Sequence, residues 1–170
     1  MHMETDRLVI REFAMEDLRD LYEILGDEET MANCEPAYSM EKTADFLGDF
    51  CINRKGALAA AQKQSGKVIG YILFHEIENG VYELGWFFNR AYWKNGYAFE
   101  AGKAVTDYAF DSLHAHKIFA ETVDGIRSVP LMEKLGMKRE GLQRSQTRTP
   151  AGAWADLYLY GILPENQKVE

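Results

Sequence analysis

No apolar run in the 170 residues approaches the roughly 18–20 that a membrane span needs, so a membrane partner is not expected. The opening Met1-His2-Met3-Glu4-Thr5-Asp6 lacks the basic and then apolar pattern of a secretory leader. Cysteine is scarce: Cys34 and Cys51 fit neither a disulfide framework nor a CxxC metal site. His75, His114 and His116 have no third ligand at metal spacing, so no metal is expected. Basic residues are outnumbered, 19 Lys+Arg against 27 Asp+Glu for a net charge of −8. That balance repels phosphate backbones, arguing against nucleic acid, and suits cationic partners such as amines. The Walker and dinucleotide glycine loops are both absent. What is present is 46% apolar and 12% aromatic residues, enough for a buried core. The expectation is one cytoplasmic domain over residues 1–170.

Hydrophobic periodicity divides the chain. Residues 7–13 alternate Leu8 and Ile10 against Val9 and Arg11, as a strand does. Leu18, Leu21, Tyr22 and Leu25 recur at helical spacing up to Gly26. Residues 27–38 read as an irregular loop, after which Ser39 is placed to cap a second helix facing inward through Phe46, Leu47 and Phe50. A meander follows: Ala57–Gln62, 68–77 and Val81–Phe88, with Asn79-Gly80 as the hairpin turn. Ala98, Ala101, Val105, Tyr108, Ala109 and Leu113 mark a long helix starting near Gly96. Residues 117–123 are β-rich, and 128–135 form a short helix capped by Ser128 and stopped by Gly136. Strands at about 137–145 and 155–163 close the chain around Thr149-Pro150-Ala151-Gly152. The pattern predicts an α+β fold: a mixed, mostly antiparallel sheet of about seven strands flanked by about four helices, with a crossover helix between the fourth and fifth strands.

Tyr92-Trp93-Lys94-Asn95-Gly96-Tyr97-Ala98 lies between a strand and the long helix. A turn there points several N–H groups one way, and the helix dipole adds roughly +0.5 charge. Such an end suits a phosphate or pyrophosphate, with Gly96 letting the backbone approach and Lys94 adding charge. The same segment also reads as an ordinary strand-to-helix turn. Around it stand Glu83-Leu84-Gly85-Trp86-Phe87-Phe88, Phe99-Glu100-Ala101 and Leu131-Met132-Glu133-Lys134-Leu135-Gly136-Met137. In this order, with Thr5-Asp6-Arg7-Leu8, Arg11-Glu12-Phe13 and Asp17-Leu18 ahead of them, they resemble the GNAT acetyltransferases. The similarity covers nearly the whole chain and is greatest to the RimJ/RimL-type branch, the ribosomal-protein N-terminal acetyltransferases.

The resemblance implies an acetyl-CoA site in which the fourth strand splays from the fifth and the pantetheine arm lies in the gap. It places the backbone of Trp86, Phe87 and Phe88 against the pantetheine. It places the pyrophosphate loop on Trp93, Lys94, Asn95, Gly96, Tyr97 and Ala98, with Trp93 where the wider family has Gln or Arg. Two positions depart from the pattern. Gly125 stands where the branch often has Asn, three residues before Ser128, leaving Asp124 or a water to serve the arm. Met132 stands where the superfamily often has a Tyr that protonates the leaving thiolate, which leaves Ser128 nearest the sulfur. A thiol of pKa about 8.5 leaves tolerably as thiolate without a strong acid.

Acyl transfer from a thioester to an amine needs a neutral amine, a stabilised carbonyl oxygen and alignment of the two. Backbone N–H groups around Phe87 and Phe88 are natural oxyanion donors. Glu83 is the leading general base or amine-orienting carboxylate, with a cross-strand surface pair as the plainer reading. Glu35, Tyr38 and Asp156 are acceptor-binding candidates, with Trp154 and Tyr158 nearby, and each also fits simple packing or solvation. Glu100 suits the helix dipole better than catalysis. Cys51 reads as core, and a covalent role for Cys34 is not favoured. Lys138, Arg139, Arg144 and Arg148 make a basic face, either solvated or attractive to an acidic acceptor.

Together these readings predict an acetyl-CoA-dependent N-acetyltransferase, monomer or homodimer, without metal. It would act by direct attack of a primary amine, either a protein or peptide N-terminus or a small amine. The alternative is a non-catalytic acyl-CoA-binding sensor that kept the cofactor cradle; a cofactor-free interaction domain is a third reading.

Overall fold

The computed structural model describes residues 1–166 and is built on one eight-stranded sheet. β1 (His2–Glu4) and β2 (Leu8–Glu12) open it, followed by α1 (Leu18–Leu25), the single turn α2 (Glu28–Met31) and α3 (Met40–Phe46). β3 (Ala57–Gln62), β4 (Val68–Glu78) and β5 (Val81–Phe88) form the meander. α4 (Tyr97–Asp111) crosses to β6 (Lys117–Thr122), and α5 (Ser128–Lys134) leads to β7 (Lys138–Arg148) and β8 (Trp154–Ile162). The spatial order is β1-β2-β3-β4-β5-β6-β8-β7, with every pair antiparallel except β5 and β6. The α4 crossover is what makes that pair parallel.

Strand alternation assigns side chains to two faces. Leu8, Ile10, Leu58, Ala60, Leu84, Phe88 and Ile118 pack with Ala101, Val105 and Ala109 of α4. Ala57, Ala59, Ala61, Val68 and Tyr71 pack with Leu21, Ile24 and Leu25 of α1 and with Leu47 and Cys51. The sheet is therefore covered on both sides, and the alanines of β3 keep its two layers close. Gly102 serves the same end, since a Cβ there would stand 3.0 Å from Leu135 Cδ1 where α4 meets α5. No helix among the described residues is long and apolar enough to cross a membrane.

Several local expectations are met. Ser39 Oγ accepts the Lys42 N–H at 3.1 Å, and the Gly26 N–H closes α1 on Tyr22 O at 2.8 Å. Asn79 and Gly80 take φ of 41° and 82°, the paired left-handed residues of a type I′ hairpin. Others are corrected. β1 is an eighth strand; its three residues are too few to show a period. The expected loop 27–38 contains α2, because the Asp27 carboxylate accepts the Thr30 N–H at 3.0 Å. α3 continues into π-helical turns over Leu47–Asn53. Ser128 does not cap α5: the Asp124 carboxylate accepts the Ile126 and Arg127 N–H groups at 3.0 and 2.8 Å, starting the turn earlier.

Candidate active site

β5 pairs with β4 from Val81↔Glu78 to Phe88↔Gly70, but with β6 only at Val81, Tyr82 and Glu83. Residues 84–88 have no strand on their second edge, which is the expected splay. The Asn89 N–H donates to Ile69 O at 2.9 Å. Antiparallel alternation then turns the polar groups of Phe87 and Gly85 toward β4, and those of Trp86 and Phe88 toward the gap. Of the three residues expected to meet a pantetheine, Trp86 and Phe88 present backbone to the gap. Phe87 instead packs its ring 6.1 Å from Tyr71 on the α1 face. The Phe88 carbonyl accepts Trp93 Nε1–H at 2.7 Å, leaving the Phe88 N–H and both Trp86 groups as the polar edge.

Beyond β5, Asn89 Oδ1 accepts the Ala91 N–H at 3.0 Å and starts a 3-10 turn over Arg90–Tyr92. Lys94 and Gly96 then adopt left-handed φ of 63° and 81°. Gly96 does so freely, whereas Lys94 must be held there. Asn95 Nδ2 donates back to the carbonyls of Tyr92 and Trp93 at 3.2 and 3.0 Å, folding the loop on itself. The first bond of α4 runs from the Glu100 N–H to Gly96 O at 3.0 Å; the N–H groups of 94–99 find no acceptor among the described residues. A file of unpartnered donors therefore sits at the positive end of a 15-residue helix. Tyr97 contributes backbone only, because its hydroxyl accepts Gln62 Nε2–H at 2.9 Å.

The opposite wall is the β6–α5 turn. The Arg127 guanidinium lies 4.7 Å from the Trp93 ring centroid, and its Nε–H donates to Asp124 Oδ2 at 2.7 Å. Burial alone would raise the Asp124 carboxyl, but the Arg127 N–H and guanidinium and the Ile126 N–H outweigh it and hold it below the usual range. Asp124 thus holds its own turn, and its Oδ2 also accepts Asn33 Nδ2–H at 3.5 Å. Ser128 opens α5 with a hydroxyl that bonds no described residue. Met132 is 2% exposed, inside the α4-side core, and takes no part in the site. At Gly125 a Cβ would stand 3.1 Å from Tyr158 Oη, so the glycine makes room for that hydroxyl, which is free of partners among the described residues. Sequence reading gave Tyr158 only a place among the acceptor aromatics.

Glu83 lies on the other face, its Oε2 3.1 Å from Nε2 of His75, its cross-strand partner. The His75 ring meets Phe50 edge-on at 5.8 Å. Glu121 follows Phe119, the β6 partner of Glu83, by two residues and so shares its face. Burial of the Glu121 carboxyl, then the charge of Glu83, raises it, although the residue as a whole is exposed. Neither His75 nor Glu121 was singled out as a site residue from sequence.

Glu35 Oε2 accepts both Lys42 Nζ–H and Tyr38 O–H at 3.0 Å. Lys42 is the main reason its carboxyl lies low, while burial and Glu35 push the Tyr38 phenol far up. The Tyr71 phenol is also pushed far up, by burial and then by neighbours that include Tyr38, Cys34 and Glu83. Glu83 and Tyr38, the latter bonded to Glu35, therefore both act electrostatically on one buried phenol. Burial raises Cys34 and pushes Cys51 up to about 12, so neither is a ready thiolate. Asp156 lies in the β7–β8 hairpin, where Oδ1 accepts the Ser145 N–H at 2.8 Å across a bulge. No cluster of three or more His, Cys, Asp or Glu among the described residues is arranged to hold a metal ion.

The model of the acetyltransferase (GNAT) domain matches residues 7–138. The chain is 34% identical over 169 residues to the uncharacterized N-acetyltransferase YnaD of Bacillus subtilis, a match covering 97% of this chain and 98% of the relative. A GNAT-family acetyltransferase from Bacillus anthracis superposes with a TM-score of 0.88 at 30% identity, covering 97% of this chain and 99% of that one. The fold is shared at 21% identity and a TM-score of 0.84 by a spermidine N-acetyltransferase from Vibrio cholerae solved with CoA and spermine, covering 96% and 99% of the two chains. With β5 and β6 parted after Glu83, a donor-lined loop at the head of α4 and relatives of this kind, the chain belongs to the GNAT acetyltransferase family and is an N-acetyltransferase.

Proposed function

We propose that residues 1–170 form one domain that moves the acetyl group of acetyl-CoA to a primary amine by direct attack. Following the RimJ/RimL-type resemblance, the acceptor is a peptide N-terminus or a small amine. The observation that carries this reading is the parting of β5 from β6 immediately after Glu83. It leaves a polar backbone edge beside the donor-lined loop, with Glu83 the last residue paired before the gap.

Acetyl-CoA is a substrate in this reading, and the residues fit it. The N–H groups of Lys94, Asn95, Gly96, Tyr97 and Ala98 suit a pyrophosphate, with Lys94 adding charge. The Trp86 backbone meets the amides of the pantetheine, and the Phe88 N–H serves the developing oxyanion. Ser128 and Tyr158, whose hydroxyls meet no partner among the described residues, supply the donors that Gly125 and Met132 lack. Glu83 takes the proton from the attacking amine with His75 as its hydrogen-bonded partner. Glu121 and the Oδ2 of Asp156, which meets no partner among the described residues, give the acceptor side a negative character that suits a cationic amine, while Glu35, paired with Lys42 and bonded by Tyr38, lines it.

The test is release of CoA thiol from acetyl-CoA across N-terminal peptides, amino acids, polyamines and aminoglycosides, with a no-amine control. Release with one class establishes transfer and names the acceptor. Silence across the panel with acetyl-CoA bound would favour the sensor reading.

A further inference from the structure

Arg7, on the turn between β1 and β2, reaches the head of α4 with all three of its guanidinium nitrogens or their neighbours engaged. Nη1–H donates to Asn95 O at 2.9 Å. Nε–H donates to Glu100 Oε2 at 2.7 Å, and Nη2 stands 2.6 Å from the same oxygen. The Arg7 N–H and Thr5 O–H bind Glu100 Oε1 at 2.9 and 2.5 Å. The guanidinium carbon stacks 4.2 Å from the Tyr97 ring centroid. Nη2 also lies 3.6 Å from where a Gly96 Cβ would be, so the arginine packs directly beneath the left-handed turn. Burial would raise the Glu100 carboxyl, but Thr5 and Arg7 outweigh it and keep it ionised as the arginine's partner.

A trans peptide is planar, with its C=O and N–H pointing in opposite directions. Gripping Asn95 O from one side therefore turns the Gly96 N–H toward the other, away from Arg7. Lys94 is left-handed although it carries a side chain, a conformation that persists only where its surroundings impose it. Glu100 neutralises the guanidinium, so Arg7 acts on the loop through geometry and not through net charge. Resting on the reading of acetyl-CoA as donor, we propose that Arg7 is a positioning residue that aims the Gly96 N–H at the donor's pyrophosphate. It sets donor affinity and leaves the acyl-transfer chemistry untouched.

The proposal is tested with Arg7→Met and Arg7→Lys, assayed with acetyl-CoA and with S-acetyl-pantetheine, which has the same thioester but no pyrophosphate. CoA binding is followed by calorimetry, and thermal denaturation confirms that each variant is folded. In Arg7→Met, KM for acetyl-CoA and Kd for CoA are expected to rise about tenfold, the worth of one aligned hydrogen bond to a charged phosphate. Arg7→Lys, which keeps the charge but reaches fewer partners, should fall between. kcat, KM for S-acetyl-pantetheine and KM for the amine should not change. Equal losses with both donors, or no loss with either, would overturn the proposal. A wild-type protein that binds no CoA would overturn the donor assignment, and this inference with it; one that binds CoA as tightly after Arg7→Met overturns the inference alone. Should Arg7→Met not fold, Glu100→Gln weakens the same bridge and is expected to give the same donor-selective loss, smaller in size.

Discussion

His75 Nε2 lies 3.1 Å from Glu83 Oε2, directly across the β4–β5 ladder. The imidazole N–H fixes one carboxylate oxygen while the Phe50 edge fixes the ring. That is the support a general base requires. Glu83→Gln keeps the size and the hydrogen bond but removes the proton acceptor, so kcat should fall about 100-fold or more while Kd for CoA stays constant. His75→Gln should lower kcat by less, about tenfold, because Glu83 remains. Thiol release and calorimetry read the two quantities separately. An undiminished kcat in Glu83→Gln would remove Glu83 from the chemistry.

Tyr158 offers the opposite separation. Its hydroxyl bonds nothing among the described residues, and Gly125 leaves it space, so Tyr158→Phe should not change Tm. If the hydroxyl serves the donor as proposed, kcat/KM for acetyl-CoA should fall about fivefold to tenfold, one hydrogen bond's worth. A loss of Tm with unchanged kinetics would make Tyr158 a packing residue. Gly125→Ala presses a Cβ on the same hydroxyl and should mimic the loss in wild type but add nothing in the Tyr158→Phe background.

Glu121 makes a prediction about pH. Burial, then Glu83, raises its carboxyl above the ordinary 4.5. Between that value and the raised one, the folded chain keeps a proton that the unfolded chain has released, so stability falls as pH climbs through the window. Glu121→Gln is therefore expected to raise Tm at pH 7, with the gain vanishing below about pH 4. A lower Tm at neutral pH would show that Glu121 is held by a cation.

Much of the fold was legible because its signals are local. Ala57–Gln62 and Val81–Phe88 have the bounds that their alternation and turn residues implied. Gly96 caps the start of α4, where the helical spacing from Ala98 to Leu113 put it. The misses are non-local or competitive. The turn alone would pair Glu76 with Glu83; a bulge at Ile77 slips the ladder by one residue and puts His75 there instead. Glu121 joins Glu83 through a parallel register that no short-range pattern encodes. At α5 two side chains competed for the cap, and the carboxylate of Asp124, a stronger acceptor than the Ser128 hydroxyl, prevailed.

Arg11 and Asp17 show where the fold is held independently of the site. Asp17 is 7% exposed and accepts Arg11 Nη1–H and Nη2–H at 2.7 and 2.9 Å and the Ala14 N–H at 2.9 Å. One carboxylate thus ties β2 to the entry of α1. Asp17→Asn keeps the shape but leaves the arginine, about one-third exposed, without its counter-charge. The expected cost is about 2–3 kcal/mol, below that of a fully buried pair because water still reaches the guanidinium. Urea denaturation should show a lower midpoint at unchanged m-value. KM for acetyl-CoA should stay constant below the new transition, since none of these contacts reaches the loop at Lys94 and Gly96. A cost under about 0.5 kcal/mol would mean that the pair behaves as a solvated surface bridge. A shifted KM would mean that the β2–α1 junction is mechanically coupled to the donor site.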